Sequence, residues 1–100
     1  QIIAAGRQAG EKFWPMPLPE ALRPGLKSQV ADLKNTGEPF GAMLYAGLFL
    51  KAFVPDDIAW SHLDIAGPAF NEGAEFGYIP RGGTGFATRT LVELARRHCR

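Results

Sequence analysis

The residues of this chain with chemical potential are few. His62 and Asp64 stand two apart in Trp60-Ser61-His62-Leu63-Asp64-Ile65-Ala66-Gly67. Alternation along an extended strand would put them on one face, a spacing that can join a metal site when further ligands arrive from elsewhere. A lone pair of this kind more often makes hydrogen bonds inside a sheet, and His98 and Cys99 lie at a helix end with no sign of converging on it. Gly82-Gly83-Thr84-Gly85 precedes an expected helix and can cradle a phosphate on free backbone N–H groups. It lacks the Walker lysine and the Rossmann spacing, so a tight turn feeding a helix is the simpler reading. Asp32 and Asn35 are polar residues beside a turn, where such side chains usually bond to local backbone. Cys99 has no base nearby to make it a nucleophile.

The elements that must position these groups follow from pattern and punctuation. Residues 1–10 read as the end of a helix stopped by Gly10, and the start at Gln1 with no N-cap residue suggests that an earlier part is missing. Prolines 15, 17 and 19 force an extended crossing, and Pro19 then opens a short helix limited by Pro24-Gly25. Residues 29–35 alternate apolar and polar as a half-buried strand does, and 35–39 form a loop. A helix is predicted over 40–54, with Met43, Ala46, Gly47, Leu50 and Val54 on one face. It is apolar nearly all round, so it needs cover from partner subunits or from further chain. Residues 58–66 read as a strand halted by Gly67-Pro68, with a ligand expected where it stops, among the small residues Ala66, Gly67 and Ala69. The Gly-rich stretch 71–84 is irregular, and a last helix ends in the basic cluster Arg96, Arg97 and Arg100, an ordinary complement to a helix dipole.

The totals exclude several classes. One hundred residues form at most one domain, and eleven basic residues against ten acidic leave no electrostatic footprint for nucleic acid or anionic membranes. There is no membrane-spanning run and no charged leader with a cleavage site. One cysteine excludes an internal disulfide and fits a reducing, cytoplasmic setting.

Five blocks carry a resemblance. Gly10-Glu11-Lys12-Phe13-Trp14 with Pro17-Leu18, Ala31-Asp32 with Asn35-Thr36-Gly37, Ala46-Gly47-Leu48-Phe49-Leu50 with Phe53, Trp60 to Gly67, and Gly83-Thr84-Gly85 before Arg89-Thr90-Leu91 resemble, in order and spacing, the cytosol (leucyl) aminopeptidase family. The Trp-x-His-Leu-Asp-Ile-Ala-Gly block is the most specific of them.

The resemblance implies an α/β fold: the C-terminal portion of a metallo-aminopeptidase catalytic domain, cut from a three-layer α/β/α sandwich with a mixed, mostly parallel central sheet. It implies a hexameric parent that releases N-terminal residues from peptides with two divalent metal ions, Mn2+, Zn2+ or Mg2+, which polarise the first carbonyl and activate a bridging water. The family's lysine and carboxylate ligands and its Asn-Thr-Asp-Ala-Glu-Gly-Arg block do not occur here, so no catalytic group and no metal ligand is assigned to this chain. The positions that carry over are Thr36, Ala66 and Ala69, which match the lining of the pocket for the peptide's first side chain. The chain departs from the family pattern at three places. Thr36 stands where a larger aliphatic residue is common, Ala69 where some members have Met, and Tyr45 where a small Thr is usual. Two other functions stay open at this stage: a noncatalytic module docking a partner through its apolar helix, and a nucleotide binder using Gly82 to Gly85.

Overall fold

A computed structural model describes residues 1–99 and divides the chain into two units, Gln1–Pro15 with Asp64–Arg100, and Met16–Leu63. Arg100 of the expected basic cluster lies outside the described residues.

In the first unit α1 runs over Ile2–Ala9 and ends as expected, with Gly10 left-handed at φ 77°. The Glu11 amide then reaches back to the Gly6 carbonyl at 2.9 Å, the Schellman closure that glycine permits. The chain folds over α1 so that Phe13 lies on Gly6, where a Cβ would come within 2.5 Å of the ring. Phe13 in turn packs at 5.1 Å on Phe86. The Gly-rich stretch is more ordered than its composition suggests. Phe70–Asn71 (β1) pairs antiparallel with Gly82–Gly83 (β2), Phe70 opposite Gly83. Between them Phe76 and Ile79 exchange both backbone bonds around Gly77-Tyr78, with Gly77 at φ 55° in the first central position of the turn.

Helix α3, Thr88–His98, starts in an unusual way. Its N-cap position is Ala87, which is left-handed at φ 72° and has no side-chain acceptor to offer. Glu11 supplies one instead. Its carboxylate is 5% exposed and accepts from the Ala87 amide at 3.0 Å, the Thr90 amide at 3.0 Å and the Thr90 hydroxyl at 2.6 Å. A negative group at a helix start also meets the positive end of the helix dipole. Farther along α3, Arg97 donates to the Ala4 carbonyl and to Gln8 of α1.

In the second unit a 3₁₀ helix, Glu20–Leu26, passes through Pro24 instead of stopping before it. At its start Arg23 grips Glu20 through two hydrogen bonds of 2.6 and 3.1 Å. That bond holds the Glu20 carboxyl below its ordinary range and the Arg23 guanidinium above its own. The pair is exposed and adds little stability. What it adds is present above the ordinary carboxylate pKa and lost as pH falls through the lowered one.

Helix α2 covers Ala42–Lys51, shorter than the expected 40–54. Gly41, left-handed at φ 72°, sets its start. At its end the Phe53 and Val54 amides bond three residues back, a tightened turn that leads to Pro55. The helix is covered over part of its surface, where the all-round apolar pattern leads one to expect burial nearly all round. Tyr45, Gly47 and Leu48 are buried, with Tyr45 and Leu48 gathered on Leu26, whereas Met43, Ala46 and Leu50 face outward. A phenol has enough apolar ring to outcompete thinner neighbours for the core.

Two expected strands are absent. Over 29–35 the Ser28 hydroxyl captures the Val30 and Ala31 amides, a local bond that competes with any ladder. Over 58–66 no strand pairs with the chain among the described residues, and a strand exists only through its partner.

Replacing Glu11 by Ala should strip α3 of its cap and leave the buried Thr90 hydroxyl unpaired. We expect amide hydrogen exchange in the first turn of α3 to speed up about tenfold or more, equivalent to at least ~1–2 kcal/mol of local stability, with α2 amides unchanged. Equal acceleration in α2 and α3 would show that Glu11 is not a local cap.

Candidate functional site

The turn Ala66-Gly67-Pro68-Ala69 is where the sequence places a ligand, and it is held from several directions. The Asp64 carboxylate accepts from the Ala66 amide at 3.0 Å, an Asx turn. The Ala69 amide donates to the Ile65 carbonyl at 3.0 Å, closing the turn on itself. From the other side Thr84 clamps it: its amide donates to the Ala69 carbonyl at 3.0 Å and its hydroxyl to the Pro68 carbonyl at 2.5 Å. Ala66 is exposed and Ala69 half-buried, and a Cβ added at Gly67 would meet nothing within 4 Å. The result is a rigid backbone with small side chains and open space beside it, suited to form one wall of a binding site.

Thr84 sits inside the glycine run that was a candidate phosphate cradle. Its own amide donates to the Ala69 carbonyl, and just beyond the run the amides of Phe86, Ala87 and Thr88 donate to the Thr84 hydroxyl, to Glu11 and to Gly85 respectively. The amide and hydroxyl of Thr84 are thus spent on the protein itself, and the run buttresses the turn.

A second support reaches the same region through Tyr78. Its hydroxyl donates to the Gly10 carbonyl at 2.5 Å, and the Arg89 guanidinium lies 3.7 Å from its ring centre. Arg89 also approaches Glu11, at 3.9 Å. The end of α1, the Gly77 turn and the start of α3 are thereby tied together.

Thr36 belongs to the other unit. It is exposed on the irregular loop that follows Asn35. The loop rests on Tyr45: a Cβ at Gly37 would fall 2.3 Å from the ring's Cγ, and one at Gly25 2.6 Å from Cε1. Asp32 and Asn35 are exposed beside it. His62 is stacked with Trp60, ring centres 6.4 Å apart and planes 13° from parallel, and Lys51 stands 6.0 Å from the Trp60 ring. Cys99 is exposed as a free thiol. Among the described residues no group of three or more His, Cys, Asp or Glu is placed to hold a metal ion. Among the described residues no helix is long and apolar enough to cross a membrane.

Glu11, Tyr78, Thr84 and Arg89 are the structural determinants that sequence reasoning missed. Thr84 had a local signal, a hydroxyl between glycines before a helix. For Glu11 there was none, because its partners are 76 and 79 residues away.

A family model for the catalytic domain of the cytosol aminopeptidase family matches residues 1–92. The chain belongs to the cytosol aminopeptidase family. It is 61% identical over 94 residues to a probable cytosol aminopeptidase of Streptomyces avermitilis, covering 94% of this chain and 18% of the relative. Against a probable cytosol aminopeptidase of Mycobacterium tuberculosis it is 50% identical over 95 residues, again covering 94% of this chain and 18% of the relative. Among solved structures, the bottromycin maturation enzyme BotP in complex with Mn superposes with a TM-score of 0.93 at 43% identity, over 99% of this chain and 22% of that one. A mutant tomato leucine aminopeptidase gives 0.85 at 38% identity, over 96% and 18%. The α/β class expected from the resemblance therefore holds. The chain spans less than a fifth of the length of these curated relatives, 18%.

Replacing Thr84 by Val removes the hydroxyl bond to Pro68 and the acceptor of the Phe86 amide, and keeps the shape. We expect faster proteolytic nicking or amide exchange at 66–70 and at the Phe86 amide, corresponding to about 1–2 kcal/mol for two hydrogen bonds. No change there would show that the turn is held without Thr84.

Proposed function

We propose that this chain is the C-terminal portion of the catalytic domain of a leucyl-type aminopeptidase, an exopeptidase that releases N-terminal amino acids from peptides. What carries the reading is the match to curated cytosol aminopeptidases over 94% of the chain. Within that enzyme the chain supplies scaffold and part of the wall around the first side chain of the peptide, through Thr36, Ala66 and Ala69. The rigid turn at 66–69 supports this role, since a specificity wall must keep its shape when substrate leaves.

The side chains present do not fit a metal centre. No set of three candidate ligands converges among the described residues, so the two divalent ions that the resemblance implies belong to parts of the parent outside this chain. Manganese is the ion named for the BotP structure. The parent is proposed to be cytoplasmic and to assemble as a homo-hexamer. Exposed apolar side chains support cover by further protein: Trp14 is 84% and Phe40 90% exposed.

Three outcomes follow. The isolated chain should release no leucine from a leucyl anilide with manganese or zinc added; metal-dependent turnover by the purified chain would contradict the assignment of ligands elsewhere. In sedimentation it should self-associate or remain poorly folded, whereas a compact monomer that unfolds cooperatively and binds no hydrophobic dye would show that the apolar surface needs no cover. In the full-length protein, Ala69→Trp should fill the space beside the turn. It should lower kcat/KM for leucyl and methionyl substrates about tenfold or more relative to alanyl ones, with metal content unchanged. Equal loss for all substrates with a lower melting temperature would mark Ala69 as plain packing.

A further inference from the structure

We propose that Thr84 is a positioning residue for substrate selectivity: it fixes the peptide planes on both sides of Ala69 and so sets where the Ala69 methyl group stands. The proposal rests on the pocket reading of Ala69 given above.

Alanine has no rotamer to choose. The place of its methyl group follows from the two peptide planes that flank its Cα, and at Ala69 both planes are held. In the plane before it, the Ala69 amide donates to the Ile65 carbonyl at 3.0 Å and the Pro68 carbonyl accepts from the Thr84 hydroxyl at 2.5 Å. In the plane after it, the Ala69 carbonyl accepts from the Thr84 amide at 3.0 Å. One residue, 16 positions away from Pro68, thus grips two successive carbonyls.

The two grips differ in origin. The amide bond continues the β1–β2 ladder, in which Phe70 lies opposite Gly83, and it needs no particular side chain at position 84. The hydroxyl bond lies outside that ladder and needs Ser or Thr. The hydroxyl is itself oriented: it accepts from the Phe86 amide at 3.2 Å, which leaves its proton for Pro68. Among the described residues no other hydrogen bond reaches the Pro68 carbonyl. Thr84 is half-buried, whereas Gly67 and Pro68 are exposed and a Cβ at Gly67 would meet nothing within 4 Å. Without the hydroxyl, the plane before Ala69 is held on its amide side alone and can tilt. The wall then yields to a larger side chain, so a change at Thr84 acts on the choice between substrates more than on the reaction they share.

The test uses the full-length protein, with kcat/KM for phenylalanyl, leucyl and alanyl anilides, metal content and melting temperature read for each variant. In Thr84→Val the phenylalanine-to-leucine ratio should rise about threefold or more with metal content unchanged, because a wall that gives no longer rejects the larger ring. Thr84→Ser keeps the hydroxyl and should hold that ratio within about twofold of wild type. If Thr84→Val does not fold, Thr84→Ala decides, since it frees the Pro68 carbonyl without setting a methyl group against it, and it should raise the ratio by a similar factor. A merely structural role would instead lower kcat/KM for all three substrates together, along with the melting temperature. That pattern, a ratio that rises by less than about threefold or falls, or the failure of both variants to fold, overturns the role of Thr84. Ala69→Trp tests the pocket reading separately. A leucine-to-alanine ratio that falls in Ala69→Trp, beside a phenylalanine-to-leucine ratio unmoved by Thr84→Val, overturns the role of Thr84 and leaves the pocket standing. An unchanged leucine-to-alanine ratio in Ala69→Trp, or no hydrolysis of any of the substrates by the wild type, overturns the pocket reading and the proposal together.

Discussion

One carboxylate organises the first unit. Glu11 leaves the end of α1 and completes the start of α3, a helix whose own N-cap is an alanine in the left-handed region. An αL alanine costs on the order of 1–2 kcal/mol, and it persists only where the surroundings compensate. The three donors at Ala87 and Thr90 do so, because hydrogen bonds to a buried ionised group are stronger than neutral ones. The Arg89 guanidinium, half-exposed at 3.9 Å, adds less. With α3 anchored, the chain just before it is placed too, and Thr84 lies there. Its amide and hydroxyl then hold the 66–69 turn. A clamp between positions far apart in sequence therefore reaches, by short steps, the turn proposed to face substrate.

The second unit depends on shape more than charge. Tyr45 fills the space between two glycines, and the loop that carries Thr36 settles on it. Gly47 works in a similar way for the proline-rich crossing: a Cβ there would come within 2.7 Å of Leu18. Glycine is useful at these positions because it leaves a neighbouring side chain room, and not because of an unusual φ.

Local signals were legible in the sequence, and relational ones were not. Gly10 ended α1 as read, because a left-handed cap is a property of glycine itself. The helix over 40–54 was found, shorter than read, and which of its nearly all-round apolar residues pack was not legible. Hydropathy ranks Tyr45 below Met43 and Leu50, whereas packing selects the side chain whose ring fits between Gly25 and Gly37. The strands expected at 29–35, from apolar alternation, and at 58–66, from an apolar run halted by Gly67-Pro68, do not form among the described residues, because either signal describes one chain while a strand needs a second. Of the candidate site, the small residues Ala66 and Ala69 and the halt at Gly67-Pro68 were visible from type and order alone. Their fastening by Asp64 was local and readable in principle. The fastening by Thr84 and the role of Glu11 depend on tertiary contacts that no local pattern records.

The most direct test is a crystal structure of the full-length protein bound to a non-hydrolysable analogue of an N-terminal leucyl peptide. The expected result is a leucine side chain with carbon atoms within about 4.5 Å of Ala66 and Ala69. A leucine side chain seated against other residues, with these two buried among apolar neighbours or facing bulk solvent, would contradict the assignment of this turn to the pocket wall.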